Sequence, residues 1–442
     1  MIFGETIVAL SSGRLPAGVA VIRVSGPQTR FALETMCGDV PPAREAALRT
    51  LRAQPEGPVL DRGLVIHFPG PNSFTGEDVA EFQIHGGHAV VAAALNALTT
   101  IPNVRHAEPG EFTRRAFMSG KLDLVQTEAL ADLINADTEA QRRFAQRNAD
   151  GAQSSLYSGW RQRLIHARAM IEAEIDFADE GDVPGSVADA IWADMVALTN
   201  EIAGHIKGFA AAEIIRDGFK VVILGAPNVG KSSLFNALAR RDAAIVTDEP
   251  GTTRDVLDVA LDVGGLKVVV TDTAGLRENA GKVETIGIEK ARARGRDADL
   301  ALVLEDMADP GPVDIGWLDV GHFKVGTKLD LVECSDTAKQ DYDLRISTTT
   351  GEGIAYLLEA IRHMAESRLA LAGDILPSRL RHVELLRETL ECVEKALKED
   401  SQPLEIRAEE LRLAADALGR ITGSIDVEDL LDVIFSQFCI GK

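Results

Sequence analysis

The pattern of hydrophobic and polar positions changes along the first half of the chain. Residues 1 to about 118 hold short apolar runs, such as 18–24 and 63–68, separated by Gly and Pro. Such runs are typical of strands in a small α+β unit. From about 121 to 215, apolar residues recur every three or four positions, which predicts helices. The clearest stripe comprises Val187, Ile191, Met195, Leu198, Ile202, Ile206 and Phe209, and Asp217-Gly218 ends it.

After Phe219 the pattern becomes that of alternating strands and helices. We predict strands at 220–224, 256–263, 266–270, 300–304 and 322–325, with Gly264-Gly265 as a two-residue hairpin turn. Beyond about residue 370 helices resume: one carries an apolar stripe from Leu380 to Leu397, and another covers about 404–420. Periodicity alone leaves open whether the two helical halves pack together.

These changes predict a multidomain α+β and α/β protein of four segments. They are an N-terminal α+β domain at 1–118, a first helical part at 119–216, an inserted α/β domain with a mixed sheet at 217–370 and a second helical part at 371–442. A chain of 442 residues suits roughly three domains. Its apolar content of 45% is ample for packed cores, which excludes wholesale disorder.

Charge and cysteine usage narrow the function classes. The chain has 46 basic and 68 acidic residues, a formal net charge of −22, which argues against coating nucleic acid by bulk charge. A local basic patch or a basic partner remains compatible with it. The four cysteines are far apart, which favours reduced thiols in a cytoplasmic protein. The most apolar run, 89–98, is about half the length of a membrane span, so we expect no membrane association.

The strongest motif is a phosphate-binding loop at residues 225–232, Gly-Ala-Pro-Asn-Val-Gly-Lys-Ser. It follows a predicted strand and opens a predicted helix, so backbone N–H groups of Val229, Gly230 and Ser233 surround the phosphates. Lys231 is expected to reach the β and γ phosphates and Ser232 to ligate magnesium.

Further motifs at strand ends indicate guanine rather than adenine. Asp272-Thr273-Ala274-Gly275 supplies a carboxylate near the magnesium ion, and Thr327-Lys328-Leu329-Asp330 supplies an Asp that accepts two hydrogen bonds from guanine. Ser347 lies where GTPases contact the guanine carbonyl. The usual first residue of the base-reading motif is Asn; Thr327 stands there, and we expect some loss of affinity.

The segments beside the phosphates predict unusual hydrolysis. Thr253 is expected to close over the γ-phosphate and complete the magnesium shell. The residue after Gly275 is Leu276, which cannot orient water as a Gln does. Asn228 can instead bind a monovalent cation that neutralises charge, and Glu284 can orient water. A purely structural use of both, and a solvated role for Arg254, stay open.

Three stretches of the phosphate-binding region resemble the tRNA modification GTPase MnmE (TrmE) family: GAPNVGKSSLFNAL, AIVTDEPGTTRD and DTAGLRENAGKVETIGIEKA. FTGEDVAEFQIHGG, PGEFTRRAFMSGKLDLVQTEALADLI and the terminal FCIGK extend the similarity over the whole chain. The terminal motif is the most specific, because related GTPases lack it.

The resemblance implies a Ras-like P-loop GTPase domain inserted in a helical domain, behind an N-terminal folate-binding and dimerisation domain. It implies hydrolysis of GTP with Mg²⁺, stimulated by K⁺, and 5-formyl- or 5,10-methylene-tetrahydrofolate as cofactor. The implied partners are a second copy in a homodimer, the FAD-containing MnmG (GidA) in a heterotetramer or larger complex, and tRNA. The implied reaction adds an aminomethyl or carboxymethylaminomethyl group to carbon 5 of the wobble uridine.

Residues of this chain match the family's sites one by one. Potassium is implied at Asn228, Thr247, Glu249 and Thr252, within a segment that faces the nucleotide and its cations: Thr247, Asp248, Glu249, Pro250, Gly251, Thr252 and Thr253. Folate contacts match Arg23, Glu81, Lys121 and Lys442. Ordinary salt bridging is the alternative for Arg23 and Glu81. Residues 11–18 depart from the family's glycine-richer loop.

Cys439 matches a family cysteine connected with modification rather than GTP hydrolysis, although a lone terminal cysteine is often inert. Two other classes of protein stay open: a ribosome-assembly or RNA-binding switch GTPase without modification chemistry, and a regulatory nucleotide-binding module without turnover. Binding of a reduced folate distinguishes the modification enzyme from both.

Overall fold

The computed structural model describes residues 4–176, 186–241, 244–245, 258–272, 296–311, 313, 315–332, 342–370, 373–398, 403–425, 431, 434–435, 438 and 441. Its contacts divide the chain into two compact units. The first holds Met1–Ala131, Ala149–Arg161 and Ala415–Lys442, and the second holds Asp132–Asn148 and Gln162–Ala414. Helical residues occur in both units.

The first unit contains a six-stranded sheet of order β3-β4-β5-β2-β1-β6. Its strands are β1 (Thr6–Leu10), β2 (Ala17–Ser25), β3 (Ala47–Arg52), β4 (Val59–Phe68), β5 (Val79–Gly86) and β6 (Val104–His106). All neighbouring pairs are antiparallel except β1 with β6. The predicted strands at 18–24 and 63–68 are confirmed within β2 and β4.

Two amphipathic helices cover the core of this sheet. They are α1 (Thr29–Cys37) and α2 (His88–Thr99), and the latter contains the most apolar run of the sequence. Strand residues such as Ile22 and Phe82 pack with Leu33 and Leu98 from the helices, all at most 1% exposed. The helices α3 (Glu111–Met118) and α4 (Leu124–Ile134) follow.

The second unit contains a six-stranded sheet of order β12-β11-β10-β7-β9-β8. Its strands are β7 (Phe219–Gly225), β8 (Asp258–Val263), β9 (Leu266–Asp272), β10 (Leu300–Asp306), β11 (Gly321–Thr327) and β12 (Leu344–Arg345). Only β8 and β9 pair antiparallel, through the predicted Gly264-Gly265 turn, where φ is +64° and +86°. The parallel strands read as continuous apolar runs because both of their faces are buried.

The remaining helices are α5 (Glu139–Ala149), α6 (Ala152–Asp176), α7 (Ser186–Lys207), α8 (Phe209–Asp217), α9 (Lys231–Ala239), α10 (Ile354–Leu369), α11 (Leu380–Ala396) and α12 (Leu404–Thr422).

Two predictions about the helices need correction. The long stripe ends at Lys207 and Phe209 opens a new helix, because Gly208 interrupts the first one. Leu380, predicted to be buried, is 56% exposed at the start of α11.

In the second unit α7 packs against α11, so the two helical halves meet. Met195, Leu198 and Ile202 of α7 are fully buried, which confirms the middle of the predicted stripe. None of the helices in the described part of the chain is long and apolar enough to cross a membrane.

Candidate functional site

The phosphate-binding loop joins the end of β7 to the start of α9 in the second unit. Asn228 and Gly230 adopt positive φ values of 64° and 105°, and Gly225 one of 152°. A Cβ atom at Gly225 would lie 2.7 Å from the carbonyl oxygen of Leu304, so only glycine fits there. The loop thereby wraps tightly and directs backbone N–H groups and the start of α9 towards one space, as a phosphate requires.

The two charged and polar residues at the start of α9 have defined partners. The ammonium of Lys231 donates to the carbonyl oxygens of Gly225 and Ala226 at 2.8 and 2.7 Å. The hydroxyl of Ser232 donates to Oδ2 of Asp272 at 3.2 Å, and Asp272, at the end of β9, is only 4% exposed. A hydroxyl and a carboxylate oxygen brought together are the hard ligands that Mg²⁺ prefers.

Thr327, at the end of β11, connects the base-reading motif to the phosphate-binding loop. Its hydroxyl donates to the carbonyl oxygen of Val229 at 2.7 Å and lies 3.1 Å from that of Glu305. The side chain is 2% exposed, so water does not compete for this contact. The residue that departs from the usual Asn therefore holds the two nucleotide-binding motifs together.

The other residues of the base-reading motif lie beside the loop that contains Ser347. The hydroxyl of Ser347 donates to Oδ1 of Asp330 at 2.6 Å and accepts from the amide of Thr350 at 3.1 Å. Lys328 adopts a φ of 57° and its ammonium pairs with Asp306 at 2.5 Å. This hydrogen bond from Lys328 lowers the pKa of the Asp306 carboxyl below its ordinary value. The structure thus brings Thr327, Lys328, Asp330 and Ser347 to one edge of the sheet.

Arg23 and Glu81 face each other on neighbouring strands of the first unit. They are directly paired in the register of β2 with β5, and the guanidinium of Arg23 donates to Oε1 of Glu81 at 2.9 Å. Both side chains are about one-fifth exposed, and the guanidinium lies 5.7 Å from the ring centroids of Phe74 and Phe112. The salt bridge considered as an alternative for these residues is therefore present.

Lys121 is exposed and lies beside the loop between β4 and β5. A Cβ atom at Gly76 of that loop would lie 3.6 Å from Cε of Lys121. The same loop, residues 69–78, contains Phe74, whose ring lies beside the guanidinium of Arg23. Arg23, Glu81 and Lys121 consequently lie around a common loop of the first unit.

A buried ion-pair network that the sequence did not reveal holds this loop. Arg115, 1% exposed, pairs with Glu77 and Glu111 at 2.9 Å each, and Arg105 pairs with Glu111 at 2.7 Å. Burial favours a raised pKa for Glu111, but hydrogen bonds from Arg105, the Glu108 amide and Arg115 lower it below its ordinary value. The available signal was the spacing of four residues between Glu111 and Arg115, which allows an ion pair if the segment is helical.

Asp306 was also missed, because the predicted strand at 300–304 was ended two residues early. The acidic pair Glu305-Asp306 directly after the buried strand residues 300–304 was the signal. The remaining predicted site residues lie outside the described residues: Thr247, Asp248, Glu249, Pro250, Gly251, Thr252, Thr253, Arg254, Thr273, Ala274, Gly275, Glu284, Cys439 and Lys442.

Comparisons with known proteins identify the family of the chain. A family model described as the MnmE helical domain matches residues 124–439, more than half of the chain, and one described as the N-terminus of the GTP-binding protein TrmE matches residues 6–121. The chain is 66% identical to the tRNA modification GTPase MnmE of Mesorhizobium japonicum over 100% of both chains. It is 57% identical to that of Brucella canis over 100% of this chain and 99% of that one.

Among solved structures, the G domain of the T. maritima FeoB iron transporter is 27% identical, over 33% of this chain and 98% of that chain, with a TM-score of 0.26. The two family models together span the N-terminal and helical parts, and the relatives match over the full length. The chain therefore belongs to the MnmE (TrmE) family of tRNA modification GTPases.

Proposed function

We propose that this tRNA modification GTPase is stimulated by potassium and acts with the FAD-containing protein MnmG (GidA) on the wobble uridine of certain tRNAs. The product carries an aminomethyl or carboxymethylaminomethyl group on carbon 5, and 5-formyl- or 5,10-methylene-tetrahydrofolate supplies the one-carbon unit. The observation that carries the GTPase part is the direct hydrogen bond from Thr327 to Val229, which joins the base-reading and phosphate-binding motifs into one site.

The described residues fit GTP and a magnesium ion. Lys231 is held on the phosphate-binding loop, from which its ammonium can turn to the β and γ phosphates. Ser232, with Thr253, would ligate Mg²⁺, and the buried carboxylate of Asp272 orients the Ser232 hydroxyl. When bound, Mg²⁺ neutralises negative charge on the phosphates. Asp330, oriented by Ser347, would accept the hydrogen bonds that guanine donates.

Potassium would complete the charge balance during hydrolysis. Asn228 is exposed in the phosphate-binding loop, where its backbone is left-handed with a φ of 64°. We assign the cation to Asn228 with Thr247, Glu249 and Thr252, and the orientation of water to Glu284. Arg254 lies in the same segment and would add positive charge near the phosphates.

Folate binding is assigned to Arg23, Glu81, Lys121 and Lys442. Because Arg23 and Glu81 already form an ion pair, a folate would meet a guanidinium whose charge is partly balanced by its neighbour. Lys121, which is exposed, is then the better partner for the glutamate tail. Phe74, which is 37% exposed beside the guanidinium of Arg23, supplies apolar surface for a flat ring.

The proposed assembly is a cytoplasmic homodimer joined through the N-terminal domain at 1–118, with MnmG in a heterotetramer or larger complex. The GTPase domain at 217–370 is inserted between helical parts at 119–216 and 371–442. A tRNA substrate follows from the modification activity of the family. With a net charge of −22, we expect the partner protein to provide much of the attraction for tRNA.

The decisive experiment measures GTP turnover of the full chain in potassium and in sodium buffer. We expect potassium to raise turnover by about tenfold or more, since Leu276 provides no side chain to orient water. Asn228→Ala should abolish the difference between the two salts. Asn236→Ala, an exposed asparagine in α9, is the matched control and should keep it. Equal turnover in both salts would refute the potassium mechanism.

A further inference from the structure

The end of β10 carries two consecutive acidic residues, and each forms an ion pair with a different lysine. Glu305 pairs with Lys324 of β11 at 2.9 Å, and Asp306 pairs with Lys328 at 2.5 Å. Consecutive strand residues point to opposite faces of a sheet, so the two pairs are separate. The Asp306 side chain is 16% exposed and that of Lys328 is 38% exposed. Asp306 is therefore a partly buried acid in direct contact with the base-reading motif.

The carboxylate of Asp306 is itself fixed at the edge of the sheet. Asp306 is paired with Thr327 in the register of β10 with β11, and its Oδ1 accepts from the amide of Ala308 at 3.0 Å. The hydrogen bond from Lys328 lowers the pKa of Asp306, and backbone amides act in the same direction. The group is therefore a charged acceptor at neutral pH, in a position set by the strand and the turn that follows it.

Lys328 is held at its backbone as well as at its ammonium. Its φ of 57° and ψ of 41° lie in the left-handed region, which is unfavourable for a residue with a Cβ atom. The short 3-10 helix Leu329–Leu331 follows and is closed by the amide of Leu331, which donates to the carbonyl oxygen of Lys328 at 2.9 Å. Because Asp306 binds the ammonium, the four methylene groups of Lys328 are restricted at both ends.

This restricted stem belongs to the same short segment as Asp330, the residue assigned to guanine. Asp330 lies two residues after Lys328 and is oriented by the hydroxyl of Ser347 at 2.6 Å. The methylene groups of a lysine form an apolar surface against which a flat ring packs. A stem that is already ordered loses less conformational entropy when the base binds than a free one does.

We propose that Asp306 is a positioning residue for guanine recognition, which holds the ammonium of Lys328 so that its stem lies beside the bound base. This rests on the proposed function, in which Asp330 accepts the hydrogen bonds of guanine. Asp306 acts through Lys328 and is not itself a contact of the nucleotide. It therefore affects how tightly GTP binds more than how fast bound GTP is hydrolysed.

The test compares Asp306→Asn with Asp309→Asn in the full chain. Asn keeps the size of the side chain and removes its charge. In Asp306→Asn, the KM for GTP and the Kd for a fluorescent GDP should rise about three- to tenfold, as loss of a charged hydrogen bond allows, while kcat stays within about twofold. Asp309, an exposed acid three residues further on, is the matched control and should keep the original values. A lower kcat at an unchanged KM, as partial unfolding produces, would overturn the proposal.

A double-mutant cycle shows whether Asp306 acts through Lys328. Lys328→Met keeps an apolar side chain of similar length without the ammonium, and in that background Asp306→Asn should raise the KM no further. Effects that multiply in the double variant would refute the positioning role. If the original chain binds no guanine nucleotide, the proposed function fails. If it binds GDP as tightly as Asp306→Asn does, only the inference about Asp306 fails.

Discussion

At the scale of single residues, Thr327 shows how a departure from a motif is accommodated. Its hydroxyl reaches the carbonyl oxygen of Val229 at 2.7 Å across the edge of the sheet. The sequence suggested that replacing Asn here weakens guanine binding, but it did not show that the shorter side chain still contacts the phosphate-binding loop. Because the contact is buried, removing the hydroxyl leaves a backbone oxygen with one partner fewer.

Thr327→Ala should therefore weaken GTP and GDP binding by about three- to tenfold, since one hydrogen bond contributes about 1 kcal/mol. Titration with a fluorescent guanine nucleotide measures the affinity. Thr327→Ser keeps the hydroxyl and should bind nearly as well as the original chain. Equal affinities of all three proteins would mean that this hydrogen bond does not organise the site.

At the scale of elements, the β8–β9 hairpin connects the nucleotide site to a helix. The residues before β8 include the segment assigned to the γ-phosphate, and β9 ends at Asp272. At its turn, the carbonyl oxygen of Gly265 accepts from the amide of Ala140 in the first turn of α5, and Lys267 pairs with Asp137 at 2.8 Å. A displacement of either end of the hairpin is thereby transmitted to α5.

We predict that the Lys267–Asp137 ion pair couples GTP hydrolysis to modification. Asp137→Lys places two cations together and should reduce tRNA modification several-fold while GTP turnover stays within about twofold of the original value. Asp137→Lys combined with Lys267→Asp restores opposite charges and should recover modification. If the single variant modifies tRNA normally, the hairpin contact does not carry the coupling.

The contact between α7 and the residues before α11 predicts a pH dependence of stability. Burial lowers the pKa of His205 to about 4, with a backbone hydrogen bond at Ile375 opposing and nearby His382 adding to the shift. The folded chain thus keeps His205 neutral, whereas the unfolded chain takes up a proton near pH 6.5. This contribution is fully present above pH 6.5 and is lost as the pH falls towards 4.

His205→Gln should reduce this pH dependence. Relative to the variant, the original chain should lose up to about 3 kcal/mol of unfolding free energy between pH 7 and pH 4. Urea denaturation at both pH values measures it, and carboxylates common to both proteins cancel in the difference. A constant difference between the two proteins across this range would contradict a neutral, partly buried His205.

At the scale of the whole molecule, the described GTP-site residues lie in the second unit, and the described folate candidates lie in the first. The C-terminal residues Phe435, Phe438 and Gly441 also belong to the first unit, although about 300 residues separate them from its sheet in sequence. Hydrolysis and modification chemistry are thus assigned to different parts of the fold, so that single substitutions should separate the two activities.

Cys439→Ser tests that separation. It should leave GTP turnover and its response to potassium unchanged and should strongly lower tRNA modification, because the family resemblance connects this cysteine with modification rather than with GTP hydrolysis. Parallel assays on one preparation compare the two activities. Equal loss of both would show that Cys439 acts on the whole molecule rather than on modification alone.

Local pattern was enough to predict most elements of the second sheet, its hairpin turn and the phosphate-binding loop. Short-range chemistry determines these: a strand buried on both faces needs an apolar run, and positive φ at residues 225, 230, 264 and 265 needs glycine. The motifs at strand ends were predictable for the same reason, since parallel strands bring their carboxyl ends to one edge. The sequence by itself therefore determined the GTPase chemistry and the family of the chain.

Only the tertiary structure decided which distant groups meet. Three hydrogen bonds join residues that are far apart in the sequence. They pair Arg23 with Glu81, 58 positions apart, Thr327 with Val229, 98 positions apart, and Ser11 with Gly441, 430 positions apart. The register of a sheet depends on how the whole face of one element packs against another. The same hydrophobic periodicity is compatible with several such packings, so periodicity alone does not select one. The packing of α7 on α11 was left open for this reason, because an apolar stripe predicts that a helix face is buried without naming its partner.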